Sequence, residues 1–278
     1  EVLESDDGTI KFIMKLKDDK RVESVVIPSM KDDGKMTLCV STQAGCALDC
    51  KFCLTGAMGA GRDLKLSEMS AQLFYARTLI DEYDKITNIV LMGMGEPLLN
   101  YAEVIKLVGL FVDQKGFAFA PRRVTLSTAG IVPMIKRLGE DSTVNLAVSL
   151  NATTDEVRSR LMPINKKYPL AELIKTLKKY PLAKSRHITI EYILIKGIND
   201  SRADAKRLSS LLRGIQVKIN LIPFNEHEGS KFETPEPEVL YSFKDTLINS
   251  GFIAVIRTSK GADILAACGQ LSAKEGKG

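Results

Sequence analysis

Met36-Thr37-Leu38-Cys39-Val40-Ser41, running straight into Thr42-Gln43-Ala44-Gly45-Cys46-Ala47-Leu48-Asp49-Cys50-Lys51-Phe52-Cys53, is the stretch that decides the fold. The first part is a short β-rich run. The second is a loop that gathers Cys46, Cys50 and Cys53 directly behind it. Six further runs of the same kind follow: Asn88–Met92, Arg123–Ser127, Val144–Leu150, His187–Leu194, Val217–Ile222 and Phe252–Ile256. Amphipathic stretches separate them. In Ser67–Tyr83, Met69, Leu73, Ala76, Leu79 and Ile80 share one face, with Ser67 as a capping residue. Other helices are predicted to begin near Tyr101, Val132, Thr153, Leu170, Ser201 and Glu236.

Strand then helix, about six times over, predicts βαβ crossovers and a parallel sheet with helices outside. Six units are too few for a closed eightfold barrel, so the expected fold class is α/β, a partial (β/α)6 barrel. In such folds the reactive groups collect where strands end. The unusual residues do follow strands: Cys46–Cys53 the first run, Gly93-Met94-Gly95-Glu96-Pro97 the second, Ser127-Thr128 the third, Asn151 the fourth, Pro223-Phe224-Asn225 the sixth.

Upstream, Ile10–Leu16 and Val22–Ile27 alternate apolar and polar residues around Asp18-Asp19-Lys20, the pattern of an antiparallel hairpin. The expected organisation is a β-hairpin extension over residues 1–34 and a barrel over 35–278, the latter ending in a segment with its own cysteine.

Composition bounds the function. The chain has 278 residues, 45% hydrophobic and 26% charged, with no apolar run long enough to span a bilayer and no leader pattern. The net charge of +5 suits an RNA partner without requiring one; Arg122-Arg123 and Lys166-Lys167 are the basic pairs. Five cysteines, an odd number and clustered, argue for metal or redox chemistry in a reducing, cytoplasmic setting rather than a disulfide framework.

Three thiols without a fourth nearby fit an iron–sulfur cube with one open iron, a corner at which a substrate can bind. Structural zinc is the alternative. It would need Cys39, or the distant His187 or His227, to close a tetrahedron. At the second strand end, Gly93 and Gly95 let backbone approach a ligand and Glu96 can face an ammonium group; a tight βα turn would use the same residues. Ser127, Ser149-Leu150-Asn151 and Asn225 offer hydrogen-bonding groups suited to a ribose, a carboxylate and an adenine edge, although each alone would serve as an N-cap. Cys39 and Cys268 lie outside the loop, where single cysteines are most often small core residues.

The C-x3-C-x2-C loop with Phe52 before its last cysteine resembles the radical S-adenosylmethionine superfamily. That resemblance implies a [4Fe–4S] cluster on Cys46, Cys50 and Cys53. S-adenosylmethionine would bind the open iron, next to Gly95, Glu96, Ser127, Ser149, Leu150, Asn151 and Asn225, and be cleaved to a 5′-deoxyadenosyl radical. Four longer motifs, Leu38–Cys46, Met92–Asn100, Met162–Tyr168 and Ala266–Leu271, resemble the dual-specificity RNA adenine methyltransferases, the RlmN family. The likeness spans nearly the whole chain and implies methylation of adenine carbon 2 in 23S rRNA and in tRNA.

By the same resemblance, Cys268 is expected to carry the methyl group as S-methylcysteine. Cys39 would resolve the protein–RNA adduct through a transient disulfide, and Glu23, in Arg21–Pro28, would accept a proton. Read without it, Glu23 is an exposed strand carboxylate. The resemblance also implies an electron donor of the flavodoxin type and a monomeric enzyme with no membrane partner. Family members carry a helical domain ahead of the hairpin, and without one RNA affinity is expected to fall. Two rivals follow: a Cfr-like carbon 8 methyltransferase, against which Asn220–Asn225 speaks, and a zinc-containing RNA-binding module.

Overall fold

The computed structural model describes residues 1–31, 33–80, 85–183 and 185–273. It divides into two compact units. The first comprises residues 1–49, 53–127 and 260–278; the second comprises 50–52 and 128–259.

In the first unit, β1 (Val2–Glu4), β2 (Ile10–Lys15), β3 (Arg21–Pro28) and β4 (Met36–Cys39) are antiparallel neighbours. β5 (Ile86–Leu91) and β6 (Val124–Thr128) continue the sheet in parallel. The predicted hairpin is β2–β3. Its turn places Asp19 at φ +62°, a left-handed conformation that Asp tolerates. The hairpin does not stand apart, because β3 pairs with β4 and carries buried residues on both faces. β1 and the one-turn helix α1 (Leu54–Ala57) have no periodic signature in the sequence.

Helix α2 (Leu66–Thr78) starts one residue before the predicted cap. Ser67 is already helical, and the free Lys65 N–H at the entry is taken by the Glu68 carboxylate at 2.9 Å. Met69, Leu73 and Ala76 are buried as expected, whereas Leu79 and Ile80 fall past the helix end and are half-buried. The predicted continuation over 81–83 lies outside the described residues. Helix α3 (Tyr101–Val112) buries Val104, Leu107, Val108 and Phe111 at helical spacing.

The second unit holds β7 (Asn145–Ser149), β8 (Ile188–Leu194), β9 (Val217–Pro223) and β10 (Ile253–Ile256), parallel throughout. Its helices are α4 (Val132–Asp141), α5 (Asp155–Leu161), α6 (Leu170–Lys178), α7 (Arg202–Leu212) and α8 (Pro237–Asn249). Thr154 and Ser201 cap α5 and α7 through their hydroxyls. Six strands are thus each followed by helix, and a seventh closes the series. Among the described residues no helix is long and apolar enough to cross a membrane.

Candidate active site

Strand register assembles the first half of the site. Lys11 lies opposite Val25, and Val25 opposite Cys39. Cross-strand partners share a face and side chains alternate along a strand, so Lys11, Cys39 and Glu23 project from the same side of the sheet. The segment 261–273 lies across that side. Lys11 Nζ donates to Leu265 O at 3.3 Å, and Ser272 N donates to the Glu23 carboxylate at 3.0 Å. Ser5 Oγ donates to Asp263, and Gly261 N to Asp7. Leu54 N, next to Cys53, donates to Gly269 O at 2.8 Å, and Thr55 Oγ1 to Leu271 O at 2.6 Å. Cys268 therefore sits in a strap pinned on one side to the hairpin strands and on the other to the residue that follows the cysteine loop.

Within that arrangement the two outlying cysteines differ. Cys268 is exposed, whereas Cys39 is buried. Burial, and then the neighbouring Cys268, push the Cys39 thiol up to about 12. Glu23 is 1% exposed, so the reading of an exposed strand carboxylate is overturned. Burial raises its pKa above the ordinary glutamate value, and the Lys11 ammonium 3.5 Å away pulls it back only in part.

The second strand end closes tightly on the first. Gly95 has φ +96°, and a Cβ there would lie 2.5 Å from the Gln43 Cβ, so only glycine fits. A Cβ on Gly93 would meet Ser41 Oγ at 2.6 Å. Glu96 is 3% exposed; its N–H donates to Gln43 Oε1, and its carboxylate accepts from Leu98 N. That carboxylate is near enough to Cys46 to add to the effect of burial, and with Cys53 it brings the Cys46 thiol up to about 11. Ser127 is half-buried at the end of β6.

In the second unit, Ser149-Leu150-Asn151 ends β7. Asn151 takes a left-handed φ of +55° and its side chain is engaged internally, accepting from Ile193 N and donating to Met162 Sδ. Asn225 follows β9 and accepts a hydrogen bond from Ser259 Oγ. Cys50 belongs to this unit, where Lys51 N donates to Leu161 O at the end of α5.

Cys46, Cys50 and Cys53 are half-exposed and in one loop. Among the described residues no three His, Cys, Asp or Glu side chains converge tightly enough for a single ion. Three half-exposed thiols in one loop, with no fourth cysteine beside them in the sequence, are a donor set that fits an iron–sulfur cube with one iron left open. His227, the distant alternative ligand, instead packs edge-on against Phe224.

Comparison with known proteins agrees with this geometry. The Radical SAM superfamily profile matches residues 40–208. The dual-specificity RNA methyltransferase RlmN of Syntrophotalea carbinolica is 51% identical over 98% of this chain and 71% of its own length. That of Geobacter sulfurreducens is 50% identical over 97% and 73%. This chain belongs to the RlmN family. The crystal structure of a radical SAM methyltransferase from Sphaerobacter thermophilus has 43% identity and a TM-score of 0.94, covering 99% of this chain and 80% of that one. The α/β fold is that of the partial radical SAM barrel, and this RlmN-family chain is an RNA methyltransferase that uses a [4Fe–4S] cluster and S-adenosylmethionine.

Three buried polar residues of this RlmN-family chain escape a reading of the sequence. Lys11 looks like an outward hairpin lysine until the register turns it toward Glu23. Gln72, in mid-helix, is buried and holds the strand end after Cys39, accepting from Ser41 N at 2.8 Å and donating to Ser41 O at 2.9 Å. Arg158 is 0% exposed. Burial brings its guanidinium down to about 10, and the charges of Cys50 and Asp155 oppose that drop. Each sits in an ordinary amphipathic pattern, so only the partners brought by folding mark it.

Proposed function

We propose that this chain methylates carbon 2 of adenine in 23S rRNA and in tRNA, with Cys268 as methyl carrier, Cys39 as resolving thiol and Glu23 as proton acceptor. The observation that carries the reading is the pairing of an exposed Cys268 with a buried Cys39 beside it, on a strap bonded to the residue after Cys53. An aromatic carbon of this kind is not nucleophilic, so a polar transfer from a sulfonium does not reach it.

When bound, the cluster on Cys46, Cys50 and Cys53 and its S-adenosylmethionine supply a radical able to take hydrogen from a methyl group. The protein does the rest. Cys268, already methylated, presents that methyl at the surface where a base can stack. After the carbon–carbon bond forms, the adduct radical must give up one electron, which the bound cluster would accept, and Glu23 takes the proton leaving the base; burial, which raises its pKa, makes this carboxylate the better acceptor. Cys39 then gives up its proton and attacks the Cys268 sulfur. A sulfur–sulfur bond forms as the sulfur–carbon bond to the product breaks; the electron pair of that bond stays on the product carbon, which takes up a proton to become the methyl group, and a thiol reductant reopens the disulfide. Gly95, Glu96 and Ser127 in the first unit, and Ser149, Leu150, Asn151 and Asn225 in the second, are the residues assigned to S-adenosylmethionine. An electron donor of the flavodoxin type feeds the cluster, and the enzyme works in the cytoplasm as a monomer.

The test is mass spectrometry of nucleosides from 23S rRNA and tRNA treated with the reconstituted enzyme. Methylation at carbon 2 is expected; methylation at carbon 8 alone would place the chain with the Cfr-like enzymes.

A further inference from the structure

Arg158 makes four hydrogen bonds, all to neutral oxygens. Nε donates to Leu150 O at 3.0 Å, Nη1 to Asn165 Oδ1 at 3.0 Å, and Nη2 to Ala129 O at 2.7 Å and Ser149 O at 3.1 Å. Three of these acceptors are backbone carbonyls at the ends of successive strands, and two belong to the Ser149–Asn151 rim. Asn165 is itself fixed, donating to the Asp155 carboxylate at 2.9 Å and to Ser159 Oγ at 2.8 Å. Leu161, less than one turn beyond Arg158 on α5, accepts the N–H of Lys51, the residue after Cys50. One seven-residue helix thus holds both the rim and the middle of the cysteine loop.

A neutral donor would satisfy carbonyls at less desolvation cost than a buried cation. The positive charge calls for anions: Asp155 is one, and Cys50, the larger of the two influences on the guanidinium, becomes another on ligating iron. We propose that Arg158 is a positioning residue for the radical chemistry: its fork fixes the strand ends that receive S-adenosylmethionine, and its charge faces Cys50 and favours the reduced, more negative cluster. This rests on the reading of Cys46, Cys50 and Cys53 as cluster ligands.

The experiment compares wild type, Arg158→Lys and Arg158→Gln, each reconstituted anaerobically, by iron content, by the cluster midpoint potential from electron paramagnetic resonance titration, and by S-adenosylmethionine affinity. Arg158→Gln is expected to shift the midpoint to more negative potential. Arg158→Lys is expected to hold the midpoint near wild type while binding S-adenosylmethionine about tenfold more weakly or worse, as when an outer partner of a metal site is lost. A wild-type midpoint in Arg158→Gln, or wild-type affinity in Arg158→Lys, overturns the proposal. If Arg158→Gln fails to fold, the affinity of Arg158→Lys decides alone. Wild-type protein without a four-iron cluster would instead defeat the ligand assignment on which the proposal stands.

Discussion

The Glu23 carboxylate accepts a hydrogen bond from Ser272 N at 3.0 Å, four residues past Cys268. A group proposed to move a proton thereby also fastens the strap that presents the methyl carrier. Its charge state affects both geometry and chemistry.

The pH response follows from that double duty. At low pH Glu23 is neutral folded and unfolded; above the unfolded value of about 4.3 its ionisation penalises the folded state, because burial has raised the folded value. Glu23→Gln removes the penalty, so its stability relative to wild type should improve as pH rises from about 4.3. Urea midpoints measured across pH check this. Wild-type methylation should fall on acidification with a midpoint above that of an ordinary glutamate.

Substituting the two outlying thiols should interrupt the reaction at different points. Cys268→Ala is expected to lose RNA methylation and keep reductive cleavage of S-adenosylmethionine. Cys39→Ala is expected to accumulate a protein–RNA adduct, visible on denaturing gels, because nothing attacks the Cys268 sulfur. Full methylation by the first variant, or no adduct with the second, would refute the assigned roles.

Alkylation should separate the same pair. Iodoacetamide near neutral pH is expected to modify exposed Cys268 well before Cys39, which is buried and held at about 12. Peptide mass spectrometry at short times reads the order.

Gly95→Ala tests the rim. The added methyl would press on Gln43 at a left-handed φ, for a loss on the order of 2–3 kcal/mol if the backbone holds. Thermal denaturation measures the loss, and weaker S-adenosylmethionine binding should accompany it if Gln43 or Glu96 shifts.

The strands were legible because each is a compact apolar run: all seven predicted from Met36–Ser41 onward are present, with ends moved by one or two residues. The helix at Ser67 was legible in type, but its start was not. A side chain three residues in, rather than the nominal cap, satisfies the first N–H. Cys46, Cys50 and Cys53 announced themselves through spacing. Lys11, Gln72 and Arg158 did not, since their significance comes from partners between 7 and 254 residues distant in the chain. Local pattern records which face a residue occupies and carries no trace of what will be laid against it.

The strap over β2 and β3 bears on the order of assembly. Its bonds to Ser5, Asp7, Lys11 and Glu23 each close a loop of roughly the whole polypeptide, whereas the hairpin beneath forms from neighbours. Long loops close late, so the sheet should be in place before the strap docks. Held by a handful of discrete bonds rather than a strand ladder, it should also be the first part to lift off, exchanging its amide hydrogens while the sheet stays protected. Such an excursion would bring Cys39 into the open.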